Sequence, residues 1–296
     1  MQDKQTLVLY HGKCADGFGA AFAAWLKLGD SADYRPCVYG DPTPEVAGKD
    51  VFILDYSFDP EVLQAMSTRA RSITLLDHHV SAQKRLQGLK LACCGRLHFD
   101  LSRSGAVIAW EHFHPGEPVP YLLRAVQARD LWRWDVPDAR PFLAALDLLP
   151  LSFEAWRSVL QLSEEERARM VERGAAMEAK FEALCASIAE QPAPVRIDGE
   201  AGLMVNAPSE FASTVGSLLA QRSGTFCLIW RIDHQGRLKC SLRSVQGFDV
   251  ERLAARFGGG GHAQAAAFML PGERVVELLR GELRSAHALP AEAGVA

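Results

Sequence analysis

The chain has 296 residues, of which 48% are hydrophobic and 23% are charged, a balance that predicts a globular protein with a substantial core. The formal net charge is −4 and the sequence pI is about 6.2. Proteins that bind long duplex nucleic acid usually carry a basic excess, so this charge argues against such a partner but leaves room for a short anionic substrate.

Cysteine usage and hydropathy indicate a compartment. The seven cysteines are odd in number, irregularly spaced and without a C-x-x-C pair, so neither a disulfide scaffold nor a four-cysteine zinc site is expected. Met1–Gln5 lead directly into an apolar segment without a signal-peptide pattern, and no apolar stretch approaches the roughly 18 residues of a membrane span. We expect a soluble cytoplasmic protein with no membrane partner.

The first third of the chain alternates short apolar runs with helical patterns. The runs predict buried strands at Thr6–Tyr10, Val51–Leu54 and Ser72–Leu76. Helical patterns cover Gly19–Leu28, Pro60–Arg69, Ser104–Phe113 and Pro120–Trp132. Continuous apolar strands separated by helices are typical of a parallel sheet covered on both faces. We therefore predict an α/β domain over residues 1–150.

The pattern changes after Pro150. Ser163–Glu166 forms a capping box that begins a charged helix reaching about Ile188, which predicts a helical linker over residues 151–192. Strands are predicted at Pro194–Ile197, Gly202–Val205, Thr225–Ile232 and Leu238–Arg243, followed by a helix at Val250–Arg256, a glycine run and a final amphipathic helix. A smaller α/β domain is thus expected over residues 193–286, and a flexible tail over residues 287–296.

Acidic and histidine residues follow three of the predicted strands. Sites in open α/β sheets form beyond the carboxyl ends of the strands, and the residues placed there are His11, Asp16, Asp55, Asp77, His78 and His79. Asp130, after an apolar helix, is a further candidate. Mixed carboxylate and imidazole ligands suit manganese or similar divalent ions. A bridging carboxylate could hold two ions roughly 3.5–4 Å apart and position a hydroxide for in-line attack on phosphorus. Taken singly, an aspartate after a strand is more often a helix cap, and a His-His pair is more often surface or core.

A second constellation is Gly258–Phe268, with the sequence GGGGHAQAAAF. Its glycines would let backbone N–H groups approach an anion, and a following helix start would add a positive dipole end. The alternative is a flexible loop. Arg243 ends a predicted strand and could contact a phosphate, although a surface role is the commoner one. Phe18 and Phe248 could stack on a base or belong to the core.

The motifs YHGKCADGFGAA, ILDYS, LLDHHVSA, ARDLW, SLRS and GGGGHAQAAAF resemble those of the DHH phosphoesterase superfamily with the DHH-associated C-terminal domain, over nearly the whole chain. The resemblance implies an N-terminal domain holding two manganese ions and a C-terminal domain that grips a nucleotide across a cleft. It implies His11 and Asp55 as ligands of one ion. It implies Asp16, Asp55, His78 and Asp130 as ligands of the other. Asp77 would orient an imidazole, His79 would contact the scissile phosphate, and the substrate grip would comprise Arg243, Gly259, Gly260, Gly261 and His262.

One residue departs from the family pattern. Cys14 stands where the first aspartate of the usual Asp-x-Asp motif is expected. A thiolate ligand would favour Co²⁺, Fe²⁺ or Zn²⁺ over Mn²⁺. Alternatively Cys14 is not a ligand and the first ion binds weakly. Both interpretations stay open.

The function implied is metal-dependent hydrolysis of short oligonucleotides, dinucleotides or nucleotide bisphosphates by an exonuclease-like or oligoribonuclease-like phosphoesterase. Catalysis would rest on Asp77, His78 and His79. One alternative is an inorganic pyrophosphatase, against which the glycine-rich motif argues, and another is a nucleotide-binding regulator inactivated by Cys14. The oligomeric state is open, with a homodimer as one option.

Overall fold

The computed structural model describes residues 4–285, and the chain divides into two compact units, Met1–Ala179 and Lys180–Ala296. The predicted tail 287–296 lies outside the described residues. No helix among the described residues is long and apolar enough to cross a membrane. The boundary between the units falls within the long charged helix that we predicted as a linker.

The strands of the N-terminal unit are β1 (Thr6–His11), β2 (Ala32–Cys37), β3 (Asp50–Leu54), β4 (Ser72–Asp77) and β5 (Cys94–Phe99). Its helices are α1 (Ala15–Leu28), α2 (Pro60–Ser67), α3 (Val80–Arg85), α4 (Gly105–Phe113), α5 (Tyr121–Asp130), α6 (Ala139–Leu146) and α7 (Phe153–Leu160), followed by α8 (Glu164–Ile188), which continues into the second unit.

The five strands form one sheet in the order β2-β1-β3-β4-β5, with every neighbouring pair parallel. Side chains on the two faces enter two different cores. On β1, Val8 packs into the cluster that contains α1 and α4, whereas Leu9 packs into the cluster that contains α2. The predicted parallel sheet with both faces covered is therefore confirmed.

The sequence prediction missed the two strands at the edges of this sheet, β2 and β5. Their sequences, ADYRPC and CGRLHF, contain charged residues, a proline and a glycine. An edge strand pairs on one side only and so tolerates proline and polar side chains. A search for continuous apolar runs therefore finds the central strands but misses the edge strands.

The C-terminal unit contains a mixed sheet in the order β10-β11-β9-β8-β7-β6-β12. Its strands are β6 (Ala193–Ile197), β7 (Glu200–Asn206), β8 (Phe226–Ile232), β9 (Arg237–Ser244), β10 (Gly260–His262), β11 (Ala265–Pro271) and β12 (Glu282–Leu283), and its helices are α9 (Ala212–Ser223), α10 (Val250–Ala255) and α11 (Val275–Leu279). β8 and β9, which cover the strands predicted at Thr225–Ile232 and Leu238–Arg243, pair as an antiparallel hairpin, and the unit is α/β as expected.

The prediction of a helix directly after the glycine run is wrong. The segment instead forms the antiparallel pair β10–β11, with Gly261 opposite Ala266. A Cβ at Gly259 would lie 2.1 Å from the carbonyl oxygen of Ala267. The glycines therefore allow the chain to pack closely against its own neighbouring strand, and no helix dipole starts here.

Helix α8 begins as its capping box predicts. The backbone N–H of Glu166 donates to Ser163 Oγ at 3.2 Å, and Ser163 N–H donates to the Glu166 carboxylate at 2.9 Å. Further along, α8 passes so close to the first turn of α6 that a Cβ at Gly174 would lie 1.7 Å from the carbonyl oxygen of Pro141. Glu178 then pairs with Arg140 at 3.2 Å. This contact fixes α8 on the N-terminal unit.

Gly174→Ala is expected to lower the free energy of unfolding by about 1–3 kcal/mol, because the added methyl group overpacks against backbone. This loss should exceed the roughly 1 kcal/mol that alanine gains over glycine in a helix. Urea denaturation measures the change, with Glu172→Ala on the exposed side of the same helix as the control. Equal stability of Gly174→Ala and the parent would contradict the close packing.

Candidate metal centre

Three neighbouring strands deliver polar side chains to one edge of the parallel sheet. Strand β1 ends at His11, Asp55 follows β3, and β4 ends at Asp77, directly before His78 and His79. Because β1, β3 and β4 are parallel and adjacent, their carboxyl ends meet at this edge. The structure thus brings together the strand-end residues singled out from the sequence.

Asp55 lies at the centre of the cluster, and its two carboxylate oxygens face different partners. Oδ2 is 3.4 Å from His11 Nδ1 and 3.7 Å from the Cys14 sulfur. Oδ1 is 3.1 Å from His78 Nε2 and 3.9 Å from His79 Nδ1. The Asp55 carboxylate therefore stands between two groups of donor atoms.

The first group consists of His11, Cys14 and Asp55. One donor atom from each lies within 4.8 Å of the others, and the Cys14 sulfur is 3.3 Å from His11 Nδ1. Cys14 is also the N-cap of α1, where its sulfur accepts a hydrogen bond from the Gly17 N–H at 3.2 Å. The thiol is thus aimed at the cluster by the start of the helix.

The second group surrounds His78. Its Nε2 lies 3.6 Å from Asp16 Oδ2 and 3.5 Å from Asp130 Oδ2, in addition to its approach to Asp55. The donor atoms of Asp16, His78 and Asp130 lie within 4.8 Å of one another. Asp130 is the last residue of α5, so a helix end contributes a ligand candidate that no strand supplies.

Asp77 has a carboxylate oxygen within 4.8 Å of ligand atoms of Asp55, His78 and His79, but its hydrogen bonds are made within its own segment and with Ser57. Ser57 Oγ donates to Oδ2 at 2.5 Å, and His78 N–H donates to Oδ1 at 2.7 Å. The ring Nδ1 of His79 is 2.6 Å from the same Oδ1. Asp77 therefore contacts the His79 ring, and the orienting role expected of Asp77 stays a prediction. Ser57 is a supporting residue that the sequence analysis missed.

Backbone constraints hold Asp55 in place. Its φ of +54° is left-handed, a conformation that costs a non-glycine residue about 1 kcal/mol or more. Gly105, at the start of α4, lies against it, and a Cβ there would be 2.5 Å from Asp55 Cβ. The N–H groups of Gly105 and Ala106 donate to Asp16 at 2.6 and 3.0 Å. Gly105 was not predicted as a site residue. The sequence indicates only that a glycine begins an apolar helix at this position.

Charge accumulates strongly in this buried cluster. Burial and the charges of Asp130 and Asp55 raise the pKa of Asp16 well above its usual range. Burial opposes a charged imidazole, yet contact with Asp55 and the charges of Asp16 and Asp130 raise the pKa of His78. Burial and Asp55 likewise raise the pKa of the Cys14 thiol. All three raised pKa values favour the protonated forms of these groups. This is expected where negative charge is in excess.

The residues present fit divalent cations. Asp55 Oδ1 is buried and accepts no hydrogen bond of acceptable geometry within the described part of the chain, although buried carboxylate oxygens normally have a partner. Carboxylate and imidazole donors suit manganese and related ions. A cation between the groups would both partner this oxygen and balance the surplus charge. The individual ligand roles stay predictions.

Arg243 of β9 is held inside the C-terminal unit. Its Nη2 donates to Ser213 Oγ on α9 at 2.9 Å. A Cβ at Gly216 on the same helix would lie 2.6 Å from Arg243 Cγ. Burial lowers the pKa of the guanidinium. Glycine disfavours a helix, so Gly216 also makes α9 hard to recognise from sequence; α9 was not predicted. The predicted phosphate role of Arg243 stays open, while its guanidinium is preorganised by Ser213.

Of the predicted glycine-rich grip, Gly260, Gly261 and His262 form β10, the edge strand of its sheet, and Gly259 directly precedes that strand. Gly261 has a φ of +146°, and a Cβ there would be 2.4 Å from the Ala265 carbonyl oxygen. Close approach of two strands accounts for these glycines without an anion. Their substrate role therefore remains a prediction supported by the motif alone.

The parallel sheet and its donor set define an α/β protein with a cluster of carboxylate and imidazole side chains at the strand ends that could hold metal ions. Comparison with known proteins adds a domain assignment for the C-terminal unit. The sequence model of the DHHA1 domain matches residues 205–286, within the C-terminal unit. Besides this DHHA1 match, the N-terminal unit carries the motifs by which the chain resembles DHH phosphoesterases.

Three relatives illustrate the range of similarity. Uncharacterized protein R106 of Acanthamoeba polyphaga mimivirus is 28% identical over 299 residues, covering 92% of this chain and 69% of that protein. RecJ of Thermus thermophilus, solved in complex with Mn²⁺, has a TM-score of 0.57 at 15% identity, covering 95% of this chain and 54% of RecJ. The pGpG-specific phosphodiesterase PggH of Vibrio cholerae has a TM-score of 0.51 at 14% identity, covering 94% and 97%. The two structural likenesses are likenesses of fold.

The structure makes the role of Cys14 testable. If its sulfur binds the first ion, Co²⁺-loaded protein should show a thiolate-to-cobalt charge-transfer band in the near ultraviolet, because a coordinated thiol is deprotonated. Cys14→Ser should abolish the band, and the exposed Cys94→Ser should keep it. A spectrum without the band in the parent would make Cys14 a helix cap only.

Proposed function

We propose that this protein is a divalent-metal-dependent phosphodiesterase that hydrolyses short nucleotides. The observation that carries the proposal is the placement of Asp55. Its two oxygens face separate donor groups, one containing His11 and Cys14 and the other containing His78. A carboxylate shared in this way is suited to bridging two cations, which is the arrangement of two-metal phosphoesterases.

Two divalent ions, when bound, would polarise a phosphoryl oxygen and lower the pKa of water enough for attack at neutral pH. The first would be held by His11, Asp55 and, as one option, Cys14. The second would be held by Asp16, Asp55, His78 and Asp130. Manganese fits the oxygen and nitrogen donors, whereas a Cys14 thiolate would favour cobalt, iron or zinc in the first site.

The remaining polar residues hold the groups around the centre in fixed orientations. Asp77 fixes the ring of His79 through a 2.6 Å contact at Nδ1, and Ser57 fixes Asp77 in turn. A rigid imidazole beside the centre is what a contact to the scissile phosphate requires, because positioning lowers the entropy lost on reaching the transition state. We assign His79 to this contact, with Asp77 as its positioning residue.

A short substrate is favoured by charge. The chain carries a net charge of −4, whereas proteins that track long single strands use an extended basic groove. PggH, a fold relative that spans nearly the same length, is named for specificity toward the linear dinucleotide pGpG. We therefore place dinucleotides first among substrates, ahead of longer oligonucleotides and nucleotide bisphosphates. A soluble cytoplasmic location fits such a substrate.

Pyrophosphate hydrolysis is the second candidate activity, since it could use the same N-terminal motifs. The DHHA1 match over residues 205–286 favours a nucleotide substrate. The assay that separates the candidates supplies Mn²⁺, Co²⁺, Fe²⁺ or Zn²⁺ with a dinucleotide, a nucleotide 3′,5′-bisphosphate or pyrophosphate. Release of mononucleotides supports the proposal. Turnover of pyrophosphate alone would replace it, and nucleotide binding without turnover in every metal would leave a regulatory protein.

His78→Ala should lower kcat/KM for the dinucleotide by about a hundredfold or more, because a residue at the centre of the second donor group is lost. Metal content of the purified protein should fall in parallel. His234→Ala alters an exposed histidine of the C-terminal unit and should change neither quantity. Activity of His78→Ala within threefold of the parent would remove His78 from the metal site.

Arg243→Ala should raise KM for the dinucleotide about tenfold or more with a smaller effect on kcat, because a lost charge-assisted contact is worth about 1.5–3 kcal/mol. Ser213→Ala, which releases the guanidinium from its partner, should give a weaker effect in the same direction. A KM unchanged in Arg243→Ala would leave the residue a purely structural role against α9.

A further inference from the structure

An exposed aromatic ring stands beside the metal centre without a place in the chemistry described above. Tyr39 lies in the loop that follows β2, and 68% of the residue is exposed. Strand β2 is parallel to β1, so its carboxyl end reaches the same edge of the sheet as His11. The loop is joined to the His11 segment by a hydrogen bond from Gly12 N–H to the Cys37 carbonyl oxygen at 2.8 Å.

A chain of rings connects Tyr39 to a predicted metal ligand. The centroid of Tyr39 is 5.0 Å from that of Tyr56, and Tyr56 is 6.2 Å from His11. Tyr56 is buried and packs edge-on against Phe58 at 4.9 Å. Tyr39 thus packs on the buried ring of Tyr56, while Tyr39 itself remains exposed to solvent.

A cation stands next to the same ring. Arg85, the last residue of α3, stands near enough to the Tyr39 hydroxyl to oppose the rise in the pKa of Tyr39 that burial causes. Its Nε is 3.7 Å from Asp59, and 40% of its side chain is exposed. Because α3 begins directly after His79, Arg85 is placed by the same segment that carries the metal-centre histidines.

We propose that Tyr39 and Arg85 form a nucleobase subsite next to the metal centre, with the base stacked on Tyr39 and the Arg85 guanidinium on its adjoining phosphate or ribose oxygens. This proposal rests on the proposed function and names the part of the substrate that this edge binds. Aromatic rings give affinity for any base through its π face, and a guanidinium supplies the charge that a nucleotide requires.

The two phenylalanines considered from sequence do not serve this purpose as well. Phe18 is only 3% exposed and packs edge-on against Trp156 at 4.9 Å, so it belongs to the core. Phe248 packs against Phe226 in the C-terminal unit. Isolated exposed side chains are common on protein surfaces; Tyr39 differs in having a buried aromatic support, a neighbouring arginine and a position at the strand ends.

The test compares the dinucleotide pApA with an analogue in which one adenine is replaced by hydrogen. Loss of one stacked base on alanine substitution costs about 5- to 150-fold in affinity. Tyr39→Ala should therefore raise KM for pApA about tenfold with kcat within twofold, and change KM for the abasic analogue less than twofold. Tyr39→Phe keeps the ring and should remain within twofold of the parent. Leu279→Ala, at a residue that is also 68% exposed, is the control.

Binding of a phosphorothioate pApA, measured by calorimetry with Mn²⁺ present, separates the subsite from the proposed activity. Weaker binding in Tyr39→Ala and Arg85→Ala supports the subsite even in a protein that shows no turnover. Turnover of pApA with equal KM in parent and Tyr39→Ala overturns the subsite and leaves the activity standing. Equal losses for pApA and the abasic analogue, or no binding by the parent, also overturn it.

Discussion

A buried carboxylate surrounded by other carboxylates is the constraint on which this structure depends. Asp55 and Asp16 are both nearly inaccessible to solvent, and Asp130 approaches the same histidine. Removing such charges from water costs several kcal/mol per ion unless a nearby charge of opposite sign compensates it. His78 compensates part of this charge, and a divalent cation compensates far more. The acidic cluster therefore has the charge and the donor atoms that a divalent cation would require.

The backbone around the cluster is shaped to permit this crowding. Asp55 adopts a left-handed φ, and Gly105 leaves the room that its carboxylate occupies. Two N–H groups at the start of α4 hold Asp16, and the Gly17 N–H reaches the Cys14 sulfur at the start of α1. Helix starts thus supply hydrogen bonds to acceptors that would otherwise repel one another. Local strain and close contact occur where the donor atoms meet.

Much of this could be predicted from the sequence, for identifiable reasons. β1, β3 and β4 are buried on both faces, so their apolar runs are continuous, and the strand-end rule then brings His11, Asp55 and His78 together. The edge strands and α9 were missed because contacts with other parts of the fold determine their sequences more than local periodicity does. In α9, for example, Gly216 is required by the close approach of Arg243. The glycine run was assigned the wrong structure, since glycine permits a close strand pair as readily as a helix start. The directions of the Asp55 oxygens depend on side-chain dihedral angles, and the position of Tyr39 depends on a loop; sequence patterns predict neither.

The spacing of the metal-ligand candidates along the chain has a consequence for how the protein matures. They come from separate segments between His11 and Asp130: the residues at the strand ends meet when β1, β3 and β4 pair in parallel, and helix α5 adds Asp130. Parallel pairing closes long loops and is slow compared with local structure. No short nascent segment therefore holds a complete donor set. A divalent ion that uses this full donor set would therefore bind only after the sheet has formed, so metal binding would report a correctly assembled domain.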